Sequence, residues 1–235
     1  MTHPADLATA LPWPDLAEAL DVHGCARVAG LLPPELCRIV AGWYDDDALF
    51  RSTVVMARHG FGRGEYRYFA GPPLLLRALR QALYPPLAEI ANRWAAALGS
   101  PERFPDSHTA FLKRCRAAGQ TRPTPLLLRY GPGDYNCLHQ DLYGEVRFPL
   151  QATVLLSQPG RDFEGGEFVL TEQRPRMQSR AEVVGLRQGD AVIFPVRERP
   201  VSGARGAYRV NMRHGLSRVR AGRRHALGLI FHDAL

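Results

Sequence analysis

The second half of the chain alternates short apolar runs with polar, glycine-containing turns. Runs of this length predict β-strands rather than helices. The predicted strands cover residues 125–130, 148–156, 167–171, 181–186, 191–194, 208–213, 216–219 and 224–231, with turns at 131–133, 165–166, 189–190 and 221–222. Because no helical pattern intervenes, this order favours an all-β sandwich or barrel over alternating β-α-β units.

The first half carries apolar residues at helical spacing instead. Prolines open two predicted helices, over residues 14–20 and 33–43, and a strand is predicted between them over residues 25–32. A leucine- and alanine-rich stretch over residues 72–98 contains Pro85 and Pro86, and predicts two consecutive helices or one helix sharply kinked there. A further short helix is predicted over residues 108–117.

A change of composition over residues 116–125 divides these two halves. The length allows one large domain or two small ones, and one core is the simpler arrangement. We predict a single domain over residues 1–235, mainly β with α. In it a helix-rich buttress (1–120) packs on one face of a β core (121–235), since a sheet with an apolar face must bury that face.

Composition excludes some classes of protein. With 46% hydrophobic and 23% charged residues, the chain is not of the disordered type. Residues 1–21 show no basic segment followed by an apolar run, and no eighteen consecutive residues are apolar, so we expect a cytoplasmic protein with no membrane partner. The four cysteines form no C-x-x-C pair, which argues against a disulfide framework and a zinc knuckle.

The chain is basic, with a formal charge of +7 and a pI near 9.6. Such a charge favours a polyanionic partner, because surface cations release counterions from nucleic acid. Of the 30 basic residues, however, all but Lys113 are arginine, a skew that genome base composition also produces. Both explanations stay open at this point.

Three residues in the β half suit a metal ion. His139 and Asp141 lie two apart after a glycine-rich loop, and in extended backbone such residues point to the same side, roughly 6.6 Å apart. His214 ends a distant apolar segment that a barrel can bring alongside. Two imidazoles and one carboxylate form the facial triad of non-haem iron(II) sites, which leaves positions open for oxygen and a cosubstrate. Hydrogen bonding within a β domain, or another metal in a cupin-like barrel, is the alternative.

The spacing between the second histidine and a following arginine indicates a candidate anion-binding residue. Arg224 comes ten residues after His214, just past an Ala-Gly turn, so it returns on the next antiparallel strand. A guanidinium there suits bidentate capture of a carboxylate. Ala226 and Gly228, on the same face of a regular strand, would leave room beside it. A surface arginine next to Arg223 is the alternative.

Together these segments resemble the iron(II)/2-oxoglutarate oxygenases, specifically those with prolyl-hydroxylase-like motif spacing. The resemblance spans residues 126–233. It rests on Arg129-Tyr130, Gly131-Pro132-Gly133, His139-x-Asp141, Glu164-Gly165-Gly166-Glu167-Phe168, the run from Gln188 to Phe194, and the segment from His214 to Arg224.

This resemblance implies a double-stranded β-helix (jelly-roll) core with N-terminal helices on one face. It further implies that His139, Asp141 and His214 bind Fe(II), that Arg224 binds the C5 carboxylate of 2-oxoglutarate, and that Tyr130 is a further cosubstrate contact. The implied enzyme is a dioxygenase that uses O2 and couples decarboxylation of 2-oxoglutarate to hydroxylation or oxidative demethylation.

More narrowly, the chain resembles a bacterial branch described as acting on damaged nucleic acid, through Arg122-Pro123-Thr124-Pro125 and the stretch 171–180. DNA or RNA is therefore one expected partner. The spacing between His214 and Arg224 differs from that of alkylation-repair dioxygenases and favours a protein or peptide hydroxylase of prolyl-hydroxylase type. A metal-binding sensory module without turnover is the third possibility, and oligomeric state is left open.

The segment 59–69 interleaves aromatic and cationic residues, among them Arg63, Tyr66, Arg67 and Tyr68. Such a pattern is typical of surfaces that stack bases and neutralise phosphates. A lid over the site and an ordinary β-hairpin are the alternatives. His225 and His232, near the end of the last strand, are expected to serve packing or the surface, and His59 and His108 are left unassigned.

Overall fold

A computed structural model describes residues 10–204 and 206–235. Residues 1–9, where part of the targeting prediction falls, lie outside the described residues. The described part has four α-helices: α1 (Trp13–His23), α2 (Pro34–Gly42), α3 (Leu74–Ala97) and α4 (His108–Ala117). Three short 3-10 helices, Trp43–Asp45, Asp47–Leu49 and Met56–His59, lie between α2 and α3.

The strands fill most of the remaining chain. They are β1 (Ala26–Val28), β2 (Phe50–Val55), β3 (Gly62–Arg63), β4 (Glu65–Phe69), β5 (Leu126–Tyr130), β6 (Tyr135–His139), β7 (Leu150–Leu155), β8 (Phe163–Gly165), β9 (Phe168–Gln173), β10 (Arg180–Val184), β11 (Ala191–Pro195), β12 (Glu198–Gly203), β13 (Gly206–Leu216), β14 (Val219–Gly222) and β15 (Arg224–Ile230).

Two antiparallel sheets form the core of the fold. The larger has seven strands in the order β1-β11-β7-β15-β5-β4-β2, and the smaller has the order β10-β9-β13-β6-β3, with β12 paired to β13. A separate two-stranded ribbon joins β14 and β8. This is the mainly β arrangement with helices that the sequence predicts, and it fits the jelly-roll core implied by the resemblance.

The larger sheet has two differently used faces, because side chains alternate along a strand. On β15, Leu227 and Leu229 are fully buried in the main core, which also holds buried residues of all four helices. Ala226 and Gly228 on the opposite face line a cavity between the sheets. The helices therefore cover the outer face, and the inner face is left for the site.

Helix α3 excludes one of the two alternatives that its prolines suggested. It is a single helix from Leu74 to Ala97 that runs through Pro85 and Pro86, so the prediction of two helices is wrong. A proline inside a helix costs about 3 kcal/mol. Leu83, Tyr84 and Leu87 on either side of the prolines are buried, and burying each such side chain stabilises by roughly 1.5–3 kcal/mol. Burial along the core therefore outweighs the lost hydrogen bonds.

The boundary near residue 120 is less sharp than predicted. Strands β1, β2 and β4 come from the helix-rich half and extend the larger sheet at both edges. The strand predicted over 208–213 is longer in the structure and runs from Gly206 to Leu216. The strand predicted over 216–219 begins later, and covers Val219–Gly222. Within residues 59–69, Glu65–Phe69 pairs with both β2 and β5, and Gly62–Arg63 pairs with β6.

Candidate functional site

A cavity of about 260 Å³ lies between the inner faces of the two sheets. This volume is close to the lower end of the range for small-molecule sites, roughly 300 Å³. Larger-sheet residues Leu126, Leu128, Tyr130, Gln151, Thr153, Arg224, Ala226, Gly228 and Ile230 line one side, and Asn136, His139, Asp141, Tyr143, Phe168, His214 and Leu216 line the other.

His139, Asp141 and His214 meet in this cavity, and we refer to them as the His-Asp-His cluster. His214 on β13 is the direct antiparallel partner of His139 on β6, and their ring centroids are 4.1 Å apart. Asp141 follows β6 in a loop. Its Oδ1 lies 3.6 Å from His139 Nε2, and its Oδ2 lies 3.3 Å from His214 Nε2. One donor atom from each residue lies within 4.8 Å of the other two, a separation at which all three can bind one metal ion.

Neighbouring groups orient the two imidazoles. His139 Nδ1 lies 2.8 Å from the carbonyl oxygen of Cys137, so this nitrogen carries a proton and donates it, and Nε2 is the nitrogen that faces Asp141. The His214 ring packs against Phe194 and Phe168, with ring centroids 4.7 Å and 6.1 Å away. Outer contacts of this kind hold metal-binding histidines in place.

The cluster is electrostatically coupled. Burial disfavours the Asp141 carboxylate, but hydrogen bonds with His139 and His214 outweigh burial and hold the pKa of Asp141 well below its usual range. Burial likewise opposes charge on His139, yet Asp141 raises the pKa of His139 overall. For His214, burial and then the nearby His139 lower the pKa despite Asp141. The result is one anionic carboxylate between two imidazoles.

Arg224 lies elsewhere in the same cavity, at the start of β15. It is 2% exposed. Among the described residues, its Nε has no hydrogen-bond partner, and no carboxylate lies within ion-pair distance of its guanidinium. Its guanidinium carbon is 5.9 Å from the ring centroid of Tyr130, its direct partner on β5, and 5.7 Å from that of Phe163. We refer to Arg224 and Tyr130 as the arginine corner.

Burial also changes the acid-base properties of the arginine corner. It lowers the pKa of Arg224 to about 10, which leaves the guanidinium charged near neutral pH, and it raises the pKa of Tyr130 above its usual range. A buried cation without a partner is costly. The corner is therefore complementary to an anion that enters the cavity.

Glycine and alanine make room beside Arg224. Gly166 has a φ of +61°, and a Cβ there would lie 3.0 Å from the Arg224 Cδ and 2.9 Å from the Val219 side chain, so only glycine lets the arginine stem pass. Ala226 and Gly228 line the cavity on the same face as Arg224, as the sequence predicts.

Sequence motifs do not predict two contacts near the cluster. Tyr143 donates a hydrogen bond of 2.9 Å to Asp141 Oδ1, and Tyr68 donates one of 3.0 Å to the Tyr143 hydroxyl. The position of Tyr143, two residues after Asp141, is the one sequence signal that points to it. The other histidines lie outside the cluster. Buried His232 packs against the Tyr143 ring, with centroids 6.1 Å apart, and His225 packs against the Tyr44 ring.

Two exposed apolar side chains line the cavity. They are Phe61 and Leu142, which are 47% and 40% exposed. The His59 ring stacks on Phe61 with centroids 5.3 Å apart. We call Phe61 and Leu142 the apolar rim.

Comparisons with known proteins agree with this geometry. A family model described as an oxygenase catalysing oxidative methylation of damaged DNA matches residues 64–234. An uncharacterized protein of Mycobacterium tuberculosis (strain ATCC 25618 / H37Rv) is 54% identical over 160 residues, which cover 68% of this chain and 69% of that protein. A protein of M. tuberculosis strain CDC 1551 / Oshkosh matches to the same extent.

Solved structures share the fold at low identity. A Pseudomonas putida prolyl-4-hydroxylase superposes with a TM-score of 0.54 and 16% identity, covering 94% of this chain and 96% of that one. An oxidoreductase of the 2OG-Fe(II) oxygenase family from Burkholderia pseudomallei has a TM-score of 0.53 and 17% identity, with 96% and 94% covered. A Trichoplax adhaerens prolyl hydroxylase, solved with a peptide fragment of hypoxia inducible factor, has a TM-score of 0.53 and 14% identity, with 98% and 90% covered.

Among the described residues, no helix has the length and apolar character needed to span a bilayer. The family match covers well over half of the chain and includes the His-Asp-His cluster, the arginine corner and most of both sheets. The chain therefore belongs to this oxygenase family, and it is an oxygenase with the fold of the iron(II)- and 2-oxoglutarate-dependent enzymes.

Proposed function

We propose that this oxygenase uses iron(II), 2-oxoglutarate and O2 to hydroxylate or oxidatively demethylate damaged nucleic acid. The observation that carries the proposal is the buried, unpaired guanidinium of Arg224 in the same cavity as the His-Asp-His cluster. An iron site with an anionic cosubstrate requires two features. One is a charged group that has no partner among the described residues, and the other is a set of donors that can bind a metal.

The His-Asp-His cluster fits iron(II). Its donor set is two imidazole nitrogens and one carboxylate oxygen, which suits iron and leaves coordination positions for other molecules. The Nδ1 proton of His139 is held by the Cys137 carbonyl, so His139 Nε2 is free to bind metal. His139 Nε2, His214 Nε2 and one oxygen of Asp141 are therefore the proposed ligand atoms.

The arginine corner fits the distal end of 2-oxoglutarate. Arg224 offers a planar pair of donors to the C5 carboxylate, and the Tyr130 hydroxyl is the proposed second contact. Small Ala226 and Gly228 leave space beside them. Because the guanidinium is buried, an ion pair formed there gains more than one formed in water.

Bound iron, with 2-oxoglutarate and O2, supplies the chemistry: the cosubstrate is decarboxylated to succinate and carbon dioxide, and a hydrogen atom is removed from the substrate. The chain itself holds and orients the reactants. His139, Asp141 and His214 fix the position of the metal, and Arg224 fixes the direction of the cosubstrate. Phe168 and Phe194 pack against His214 and exclude water from that side.

The apolar rim supports nucleic acid as the substrate class. Bases that leave a stack are bound on exposed aromatic faces, and Phe61, stacked with His59, presents such a face at the opening. Arg63 is the cross-strand partner of Tyr135 and, like Arg58, is exposed and has no ion-pair partner among the described residues. The description of the matched family, which names damaged DNA, points the same way.

Succinate formation tests the proposal. Protein loaded anaerobically with iron(II) is mixed with 2-oxoglutarate and exposed to oxygen, alone, with alkylated single-stranded oligonucleotides, or with a proline-containing peptide pool. We expect succinate in the wild type and a several-fold stimulation by the oligonucleotides. Phe61→Ala should weaken that stimulation, and Leu74→Ala, which removes an exposed leucine on α3, should not.

Each other outcome has a defined meaning. Stimulation by peptides alone would replace the nucleic-acid substrate with the prolyl-hydroxylase alternative, which the fold likeness and the spacing of Arg224 favour. Iron and 2-oxoglutarate binding without succinate under every condition would favour a sensory module. Iron binding that is unchanged in His139→Ala would overturn the metal assignment.

A further inference from the structure

Two tyrosines form a chain of hydrogen bonds that ends on Asp141. Tyr143 donates to Asp141 Oδ1, and Tyr68 donates to Tyr143. The Tyr66 ring packs edge to face against the Tyr68 ring, with centroids 5.4 Å apart. Tyr66 and Tyr68 lie two apart on β4, so both face the inner side of the sheet, and Tyr66 lines the cavity.

The direction of this chain is fixed by proton count. A phenol has one proton to donate. Tyr143 donates its proton to the carboxylate, so it accepts from Tyr68. Every donor in the chain therefore points toward Asp141.

This contact selects one orientation of the carboxylate. Oδ1 receives the hydrogen bond from Tyr143, and Oδ2 lies 3.3 Å from His214 Nε2. Asp141 lies in a loop after β6, where no ladder hydrogen bond orients its backbone. Without Tyr143 the carboxylate would turn more freely about its side-chain bonds, and a metal ion would have to restrict that motion at a cost in affinity.

We propose that Tyr143, held by a hydrogen bond from Tyr68, is a positioning residue that fixes Asp141 for metal binding. The proposal rests on the proposed function, in which Asp141 is a metal ligand. It also assigns a role to the aromatic segment around β4, which reaches the metal site through hydrogen bonds and not through substrate contact alone.

Cobalt(II) binding to the metal-free protein tests the role without turnover. We expect Tyr143→Phe to weaken cobalt binding, measured by calorimetry, by about 10- to 100-fold, the usual effect of losing a partner of a metal ligand. The visible absorption of the bound cobalt should change as well, because the carboxylate geometry changes. The KM for 2-oxoglutarate should stay near the wild-type value.

Tyr84→Phe is the matched control. Tyr84 is also a buried tyrosine, but its hydroxyl has no hydrogen-bond partner among the described residues, so its removal should leave the cobalt affinity and spectrum unchanged. Tyr68→Phe keeps the contact with Asp141 but removes the donor that orients Tyr143, and it should weaken cobalt binding by a few-fold. It also replaces Tyr143→Phe if that variant does not fold.

The outcomes separate this inference from the proposed function. Cobalt affinities and spectra of Tyr143→Phe and Tyr68→Phe equal to those of Tyr84→Phe would overturn the positioning role and leave the metal site standing. If the wild type binds cobalt no better than His139→Ala, the metal assignment fails and the positioning role fails with it.

Discussion

The His-Asp-His cluster and the arginine corner share one cavity but satisfy their charges in opposite ways. In the cluster, Asp141 lies between two imidazoles and also accepts a hydrogen bond from Tyr143, so its charge has partners within the chain. In the corner, the Arg224 Nε has no partner among the described residues, although the side chain is buried.

This difference indicates what each region requires from outside. In the cluster, the Asp141 carboxylate and the two imidazoles compensate one another, so the burial of Asp141 is offset by groups of the chain itself. The corner is complete only with an anion, because an unpaired buried cation costs free energy that an ion pair would offset. Metal affinity and cosubstrate affinity should therefore respond to different substitutions.

The largest effect is expected from removal of a proposed ligand. His139→Ala should lower metal affinity by more than about 100-fold and abolish succinate formation, because two remaining donors hold iron(II) poorly. Calorimetry with cobalt(II) and a succinate assay measure this. His23→Ala, which removes an exposed histidine at the end of α1, is the control. Equal metal affinity in both variants would contradict the assignment.

The second-largest effect is expected from removal of the Arg224 side chain. Arg224→Ala should raise the KM for 2-oxoglutarate by about 100-fold, which corresponds to about 3 kcal/mol, within the range for truncating one member of a buried charged pair. Cobalt affinity should not change. Arg223→Ala removes the neighbouring exposed arginine and should leave the KM unaltered. A similar rise in both variants would indicate a general electrostatic effect and not a specific contact.

The helix-packed side of the larger sheet provides a contrast, since a change there should alter stability alone. Buried His108 lies 2.8 Å from the Phe231 carbonyl through Nε2, and burial followed by the charge of Arg80 lowers its pKa to about 3. Below pH 6.5, His108 is protonated in the unfolded chain but stays neutral in the folded protein, so the free energy of unfolding decreases as the pH falls. At pH 5 this loss is about 2 kcal/mol.

His108→Gln keeps a donor for Phe231 but does not titrate. The decrease in unfolding free energy between pH 8 and pH 5, measured by urea denaturation, should therefore be smaller in the variant by about 2 kcal/mol. Cobalt affinity at pH 8 should match the wild type. An unchanged pH dependence would show that His108 is not protonated on unfolding in this range.

The smallest effect is expected at Tyr130. Tyr130→Phe keeps the ring beside Arg224 and removes one hydroxyl, so the KM for 2-oxoglutarate should rise about fivefold, equivalent to the roughly 1 kcal/mol of one hydrogen bond. Steady-state succinate assays measure it. A KM within error of the wild type would leave Tyr130 as packing for Arg224.

The sequence predicts the cavity residues better than the elements around them. The resemblance to the oxygenases is confirmed, and the structure brings His139, Asp141 and His214 together because β6 and β13 are paired. Their roles, like those of Arg224 and Tyr130, remain predictions, as does the single-domain assignment. Arg224 begins a strand as predicted, but β15 pairs with β5 and β7 in the larger sheet, whereas β14 pairs with β8.

Other features depend on contacts that no local pattern records. The sequence pattern does not predict strand Tyr135–His139, because its apolar residues Tyr135 and Leu138 are exposed and its burial does not alternate regularly. The pattern does not predict strand Glu198–Gly203 either, because this segment is polar and contains Pro200. The contact of Tyr68 with Tyr143 joins residues 75 apart in sequence and depends on the pairing of β4 with β5.

The alternation along β15 also separates the effects of substitutions during evolution. Even-numbered positions from Arg224 to Ile230 line the cavity, and odd-numbered Leu227 and Leu229 enter the helix-covered core. A substitution at an even position changes which ligands fit, and one at an odd position changes how much destabilisation the chain tolerates elsewhere. Specificity can therefore drift within one strand while its neighbours preserve the fold.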